Sequence, residues 1–174
     1  MASADEYGVR YSKNQIVKAL QTVEGLLKGP VRPAARIAEV LSPYMDCTEI
    51  GGINGQLRAD IRSSIFARMG DAYRREGNPH LAAQWYRRAS AISPGDHAVT
   101  YAHTVCKHGL AEFYSDALAT LEEHRRRWLA KPMMVRFVRR IAPRKWADPD
   151  GREIVCSEER NLEFLRQHAM AKAA

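Results

Sequence analysis

The chain has 174 residues, 45% of them hydrophobic, with a formal net charge of +7. That is enough apolar content for one domain with a real core, and it excludes general disorder. No run of about 18 apolar residues occurs, and the opening MASADEYGVRYSKN lacks the apolar centre of a secretory signal, so a cytoplasmic protein is expected.

Residues 1–12 are polar, show no sustained period, and read as a flexible tail ahead of a single helical domain, 13–174. Ile16, Leu20, Val23, Leu26 and Leu27 recur at helical spacing up to Gly29-Pro30, and Ile37, Val40, Leu41 and Tyr44 do so after Pro33. Residues 13–45 thus form a helical hairpin, a divergent repeat or an N-terminal cap. The stretch 46–56, DCTEIGGINGQ, is rich in turn formers and reads as a loop. Gly51, Gly52 and Gly55 do not make a phosphate cradle, because no Gly-Lys-Ser/Thr follows and no strand precedes. Cys47 has no base placed to activate it.

The segment 65–94, IFARMGDAYRREGNPHLAAQWYRRASAISP, organises the rest. Phe66, Met69 and Tyr73 share one helical face, which also holds Gly70. A glycine inside a helix costs about 1 kcal/mol relative to alanine, so another backbone is expected to come close there. Gly77 suits a left-handed helix end, Asn78-Pro79 starts the next helix, and Ala82, Trp85, Tyr86, Ala89 and Ile92 give that helix its apolar side before Pro94-Gly95.

Phe66, Met69, Gly70, Tyr73, Gly77, Ala82, Tyr86, Ala89 and Pro94 together resemble the tetratricopeptide repeat (TPR) signature, with Met69 where leucine is usual. A second, degenerate unit follows at about 97–130. Asp96 can cap its first helix, Gly109 ends it, Tyr101 takes the aromatic place, and Ala117 and Leu121 keep the small-then-large spacing. Val105 stands where the glycine belongs and His108 where the tyrosine belongs. The resemblance implies an all-α fold of stacked antiparallel hairpins, a short TPR-like solenoid of 57–130 with capping helices at both ends. It also implies a concave face, formed by the first helix of each pair, that binds a protein partner. The positions implied are Ser64, Ala67, Arg68, Asp71, Arg74 and Arg75 in the clear repeat, with Val99, Ala102, His103 and Cys106 in the degenerate one. Ala67 and Asp71 stand where the clamp for acidic chaperone tails has lysine and asparagine, which argues against that ligand.

The excess charge is local. Nine basic residues between Leu121 and Lys145 face two glutamates, an excess equal to the charge of the whole chain. Arg125, Arg126, Arg127, Arg136, Arg139, Arg140, Arg144 and Lys145 carry the alternative reading, contact with nucleic-acid phosphates. The blander reading of 131–174 is a basic cap: Met134, Phe137, Val138 and Ile141 lie on the last repeat while the arginines stay in water. A membrane surface is disfavoured.

Asp148-Pro149-Asp150-Gly151 marks a turn of a small hairpin near 146–156, and Asp148 and Asp150 lack the later ligands of a calcium loop. Ser157 caps a last helix carrying Leu162, Leu165 and Ala169 on one side. Cys47, Cys106 and Cys156 suggest free thiols rather than a disulfide framework. His103, Cys106 and His108 do not share a face suited to a metal, and no cofactor or catalytic set is expected. Self-association or membership of a larger complex is compatible with an open solenoid end.

Overall fold

The computed structural model describes residues 13–30, 33–45, 55–93, 95–130, 145–147, 153–155 and 157–170. Its helices are α1 (Lys13–Lys28), α2 (Ala34–Met45), α3 (Gly55–Arg75), α4 (Pro79–Ile92), α5 (Asp96–Lys107), α6 (Tyr114–Leu129) and α7 (Glu158–Met170), with a 3-10 turn Ala111–Phe113 before α6. Strands β1 (Lys145–Ala147) and β2 (Glu153–Val155) pair antiparallel, Trp146 opposite Ile154, as the expected hairpin requires, and the other described elements form an all-α stack. Each helix packs mainly on its neighbours in sequence. The expected amphipathic helix around 131–141 and the N-terminal tail lie outside the described residues.

The first three helices bury Ile16, Val23, Ile37, Leu41, Ile65 and Met69 in one apolar cluster. These are the periodic positions of each segment, which is why the three segments are helical and why they meet. The backbone N–H of Ala34 donates to Glu76 Oε1 at 2.9 Å, tying the start of α2 to the end of α3. A second cluster joins α4 to α7 through Tyr86, Tyr101, Val105, Leu121, Leu162 and Leu165, and the Tyr73 ring touches both clusters. Helix α3 starts at Gly55, inside the stretch read from sequence as a loop, so Gly55 opens a helix. Asp96 does not cap α5. It is the helix's first residue, and Gly95 takes the cap position without a side-chain bond. Ser157 does cap α7, its Oγ accepting from the Arg160 N–H at 3.2 Å.

Helices α3 and α4 form the most extensively packed pair. A Cβ placed on Gly70 would lie 2.5–2.9 Å from three ring atoms of Tyr86. The group that requires a glycine here is therefore an aromatic ring from α4, where the sequence suggested a backbone. That ring is fixed, because the Tyr86 hydroxyl donates to Asp71 Oδ1 at 2.7 Å and accepts from Arg74 Nε at 3.3 Å.

The two hairpins α3–α4 and α5–α6 turn in the same way. Gly77 at φ +76° and Gly109 at φ +61° take the left-handed conformation. In each turn the glycine N–H returns to the carbonyl three residues back (Arg74, Cys106), and the next N–H returns to the carbonyl five back (Tyr73, Val105). This pattern satisfies the last carbonyls of a helix and needs positive φ. Counting back from each glycine, Gly70 corresponds to Ala102 and Tyr73 to Val105. The sequence alignment, which set Val105 at the glycine place and His108 at the tyrosine place, is out of register in this helix. The cause is the 3-10 turn Ala111–Phe113, which adds residues between Gly109 and α6.

Candidate partner-binding face

Arg68, Asp71, Arg74 and Arg75 lie along α3, half-buried, on the side expected to face a partner. Arg68 reaches Glu24 on α1 at 2.5 Å and Asp71 at 3.1 Å, while Arg74 Nη2 lies 3.9 Å from Asp71. The chain Glu24, Arg68, Asp71, Tyr86, Arg74 thus links three helices and holds the α3 charges in place. Burial first, then the Asp71 carboxylate, raises the Tyr86 phenol well above its ordinary value, so it remains a hydrogen-bond donor. Tyr101 makes the same kind of bond to Asp116 at 2.9 Å, and its acidity is suppressed by burial and by that carboxylate. Ser64 is also half-buried, its hydroxyl returned to the Asp60 carbonyl at 2.8 Å.

Other expected face residues are not available. Ala67 is buried with Phe66 and Ala89, in a cluster that Trp85, Met45 and Ile92 adjoin, so it serves packing. On α5, Val99 and Ala102 are buried in the second apolar cluster and His103 is only 9% exposed. Cys106 is half-buried, a free thiol with Sγ 3.8 Å from the Asn161 carbonyl. Two helices account for this: α4 brings Ala82, Ala83 and Tyr86 onto that cluster, and α7, which packs on both α5 and α6, brings Leu162 and Leu165 onto it and sets Asn161 against His103 and Cys106. The sequence did carry a signal for this: Val99, Ala102 and Val105 form an apolar stripe that water would disfavour.

The basic segment is likewise less uniform than its composition. Glu123 binds both Arg126 and Arg127, the latter at 2.5 Å, and Glu122 accepts from Arg166 of α7 at 2.9 and 3.1 Å. Arg125 is half-buried. Arg136, Arg139, Arg140 and Arg144 lie outside the described residues, and of Lys145 only its place in β1 is described.

Sequence reasoning missed one grouping. A small cleft is lined by Arg74 and Gly77 at the end of α3, Pro79 at the start of α4, and His103, Thr104, Lys107 and His108 of α5 and its cap. It opens where α3 and α5, the first helices of successive hairpins, have little contact with each other. Among the described residues no three His, Cys, Asp or Glu side chains come together as a metal site, and no helix is long and apolar enough to cross a membrane.

No family model, curated protein or solved structure matches this chain. The TPR resemblance therefore rests on the residues quoted for it.

His103 sets a pH dependence. Burial, with Lys107, His108 and Arg74 adding positive charge, lowers its pKa from 6.5 to about 4, and a hydrogen bond with Asn161 of α7 works the other way. The folded value lies below the unfolded one, so between pH 6.5 and about 4 the unfolded chain holds a proton that the folded chain refuses. Stability should fall as the pH is lowered across that window, this one group contributing a slope of up to about 1.4 kcal/mol per pH unit. Urea unfolding followed from pH 7 to pH 4.5 should show the slope reduced in His103→Gln. An unchanged slope would mean that His103 is not shielded from water.

Proposed function

We propose that the chain is a non-enzymatic interaction module, an adaptor or assembly subunit, which holds a segment of a partner protein against α3 in the manner of the repeat family it resembles. The observation that carries this is the row Arg68, Asp71, Arg74. Its charges are accessible, yet they are anchored to α1 and α4 before any partner arrives. A surface ordered in advance spends less conformational entropy on binding than one that must be ordered by its ligand. The matching glycine turns of the two hairpins support the same reading. The alternative, phosphate binding by 121–145, rests on composition, and the glutamate pairing of Arg126 and Arg127 weakens it.

Affinity capture separates the two. Tagged protein is exposed to lysate at low and moderate salt, with and without nuclease, alongside Arg68→Glu/Arg75→Glu and Arg125→Ala/Arg126→Ala/Arg127→Ala variants. A specific protein should persist through nuclease, survive the loss of Arg125–Arg127, and disappear with the α3 charge reversal. Loss of every protein on nuclease treatment would contradict the module reading. Steep salt dependence abolished by the triple alanine variant would establish the alternative.

A further inference from the structure

We propose that α7 is a releasable latch over α5, freed by acid at His103 while the rest of the helical stack stays folded. The latch does not depend on which partner α3 holds. Helix α7 is attached by one face: Leu162, Leu165 and Ala169 are buried, whereas Glu159, Arg160, Glu163 and Arg166 are exposed. On the buried face, four residues before Leu165, stands Asn161, only 5% exposed. Its partners on α5 are polar as well. The Asn161 backbone carbonyl accepts from the Cys106 thiol at 3.8 Å, and its side chain bonds His103. The Asn161 Nδ2 is buried and has no hydrogen-bond partner among the described residues. A buried donor left unmatched weakens the contact that buries it. By contrast, Ile16, Val23, Ile37, Leu41, Ile65 and Met69 close the first three helices with apolar groups alone. The α5–α7 seam is therefore the one that opens at least cost, as expected of an element that moves separately from its core.

Acid acts on this seam through a change in how well His103 is covered. The groups facing His103 are Lys107 and His108 of its own segment, Arg74 of α3 and Asn161 of α7; burial first, then the three basic groups, holds it at about 4. With α7 lifted away the ring meets more water and moves back toward its ordinary value, so the released form takes up a proton that the docked form refuses. Docking is then strongest above about pH 6.5 and weakens as the pH falls toward 4, by at most about tenfold per pH unit for one proton. Lys107, His108 and Arg74 stay beside the ring after release and keep part of the shift, so the change is smaller than that limit. The contacts of α7 with α6 do not weaken in the same way. His124 of α6 lies 3.9 Å from Glu158, an attraction that a proton on the histidine strengthens, and Arg166 holds Glu122 at 2.9 Å. What release uncovers is Cys106 and the apolar groups beneath Leu162 and Leu165, on the first helix of the hairpin that follows α3–α4.

The test uses the intact chain with Cys47→Ser and Cys156→Ser, treated with dipyridyl disulfide, a reagent that reacts with thiols in acid as well as at neutrality. The rate of the urea-unfolded chain divided by that of the folded chain, at each pH, gives the protection of Cys106. Between pH 6.5 and 4.5 this protection should fall at least about fivefold, while circular dichroism and the hydrogen exchange of α3 amides stay as they are at pH 7. His103→Gln should flatten the dependence. Asn161→Leu, which replaces the unmatched amide by an apolar side chain, should raise protection at every pH. Protection that is constant from pH 6.5 to 4.5 with His103 in place would overturn the latch, and so would a fall that coincides with loss of α3 protection, because α7 would then leave only when the whole stack unfolds. An undiminished pH dependence in His103→Gln would overturn the assignment to that residue. A readout independent of that variant is the His103 ring midpoint by NMR, which should rise toward 6.5 in Leu162→Ala/Leu165→Ala; an unmoved midpoint would mean that α7 does not cover the ring.

Discussion

Replacing Leu165 by alanine should destabilise the protein by about 2–5 kcal/mol, the range for emptying a fully buried leucine site. Leu165 is 0% exposed and Leu162 only 1%. Both project from α7 into the cluster that contains Val105, Leu121 and Tyr101, so the loss is felt at the junction of three helices. Urea unfolding with a global probe gives the magnitude. Because α7 covers α5, the variant should also expose apolar surface, seen as increased binding of a hydrophobic dye below the unfolding transition. A cost under about 0.5 kcal/mol, typical of surface changes, would mean that α7 is not docked.

Gly70→Ala should destabilise even though alanine is the better helix former. The added methyl would meet the Tyr86 ring at 2.5 Å, and that ring is 1% exposed and bonded to Asp71 and Arg74. Overpacking of this kind costs about 1–3 kcal/mol, against a propensity gain of about 1 kcal/mol. The net sign alone is therefore a modest test, and coupling is the sharper one. Tyr86→Leu removes the ring and, by itself, should cost stability through lost packing and the lost bond to Asp71. In the Gly70→Ala/Tyr86→Leu double variant the clash is absent, so its cost should be smaller than the sum of the two single costs by about 1 kcal/mol or more. The second hairpin has this combination in its own sequence: Ala102 stands at the place of Gly70 and, counting through Ala82 and Ala117, Leu121 at the place of Tyr86. Additive single-variant costs would contradict the contact.

The α3–α4 pair was legible because every signal in it is local. The period of Phe66, Met69 and Tyr73, the stop at Gly77 and the start at Asn78-Pro79 act within a few residues, and Asn78 Oδ1 does accept from the Leu81 N–H at 3.1 Å. Helix α7 was legible for the same reason, from Ser157 and the spacing of Leu162, Leu165 and Ala169. The candidate face was only half legible. Arg68, Asp71 and Arg74 lie half-buried along α3, but Val99, Ala102 and His103 are buried, in part against a helix encoded far along the chain, and no local pattern states which face a distant helix will choose. The slip at Val105 has a different origin. Hydrophobic spacing was carried across a turn whose added residues, Ala111–Phe113, interrupt the register, whereas the glycine turns mark it directly. The cleft escaped notice because Arg74 and Lys107 are each ordinary helix-end cations until the fold sets them side by side.

Helix α7 packs over α5 at Cys106 and His103, whereas the α3 charges stay accessible. Cys106 reports on it directly, since its thiol sits against Asn161 of α7 and burial pushes its pKa up to about 12. With Cys47 and Cys156 changed to Ser, labelling of Cys106 by a maleimide at neutral pH should be slow in the folded protein, at least tenfold slower than in urea, and should quicken when Leu162 and Leu165 are both changed to Ala. Labelling of the folded, otherwise unaltered protein at the rate of an unfolded thiol would show that α7 does not cover α5.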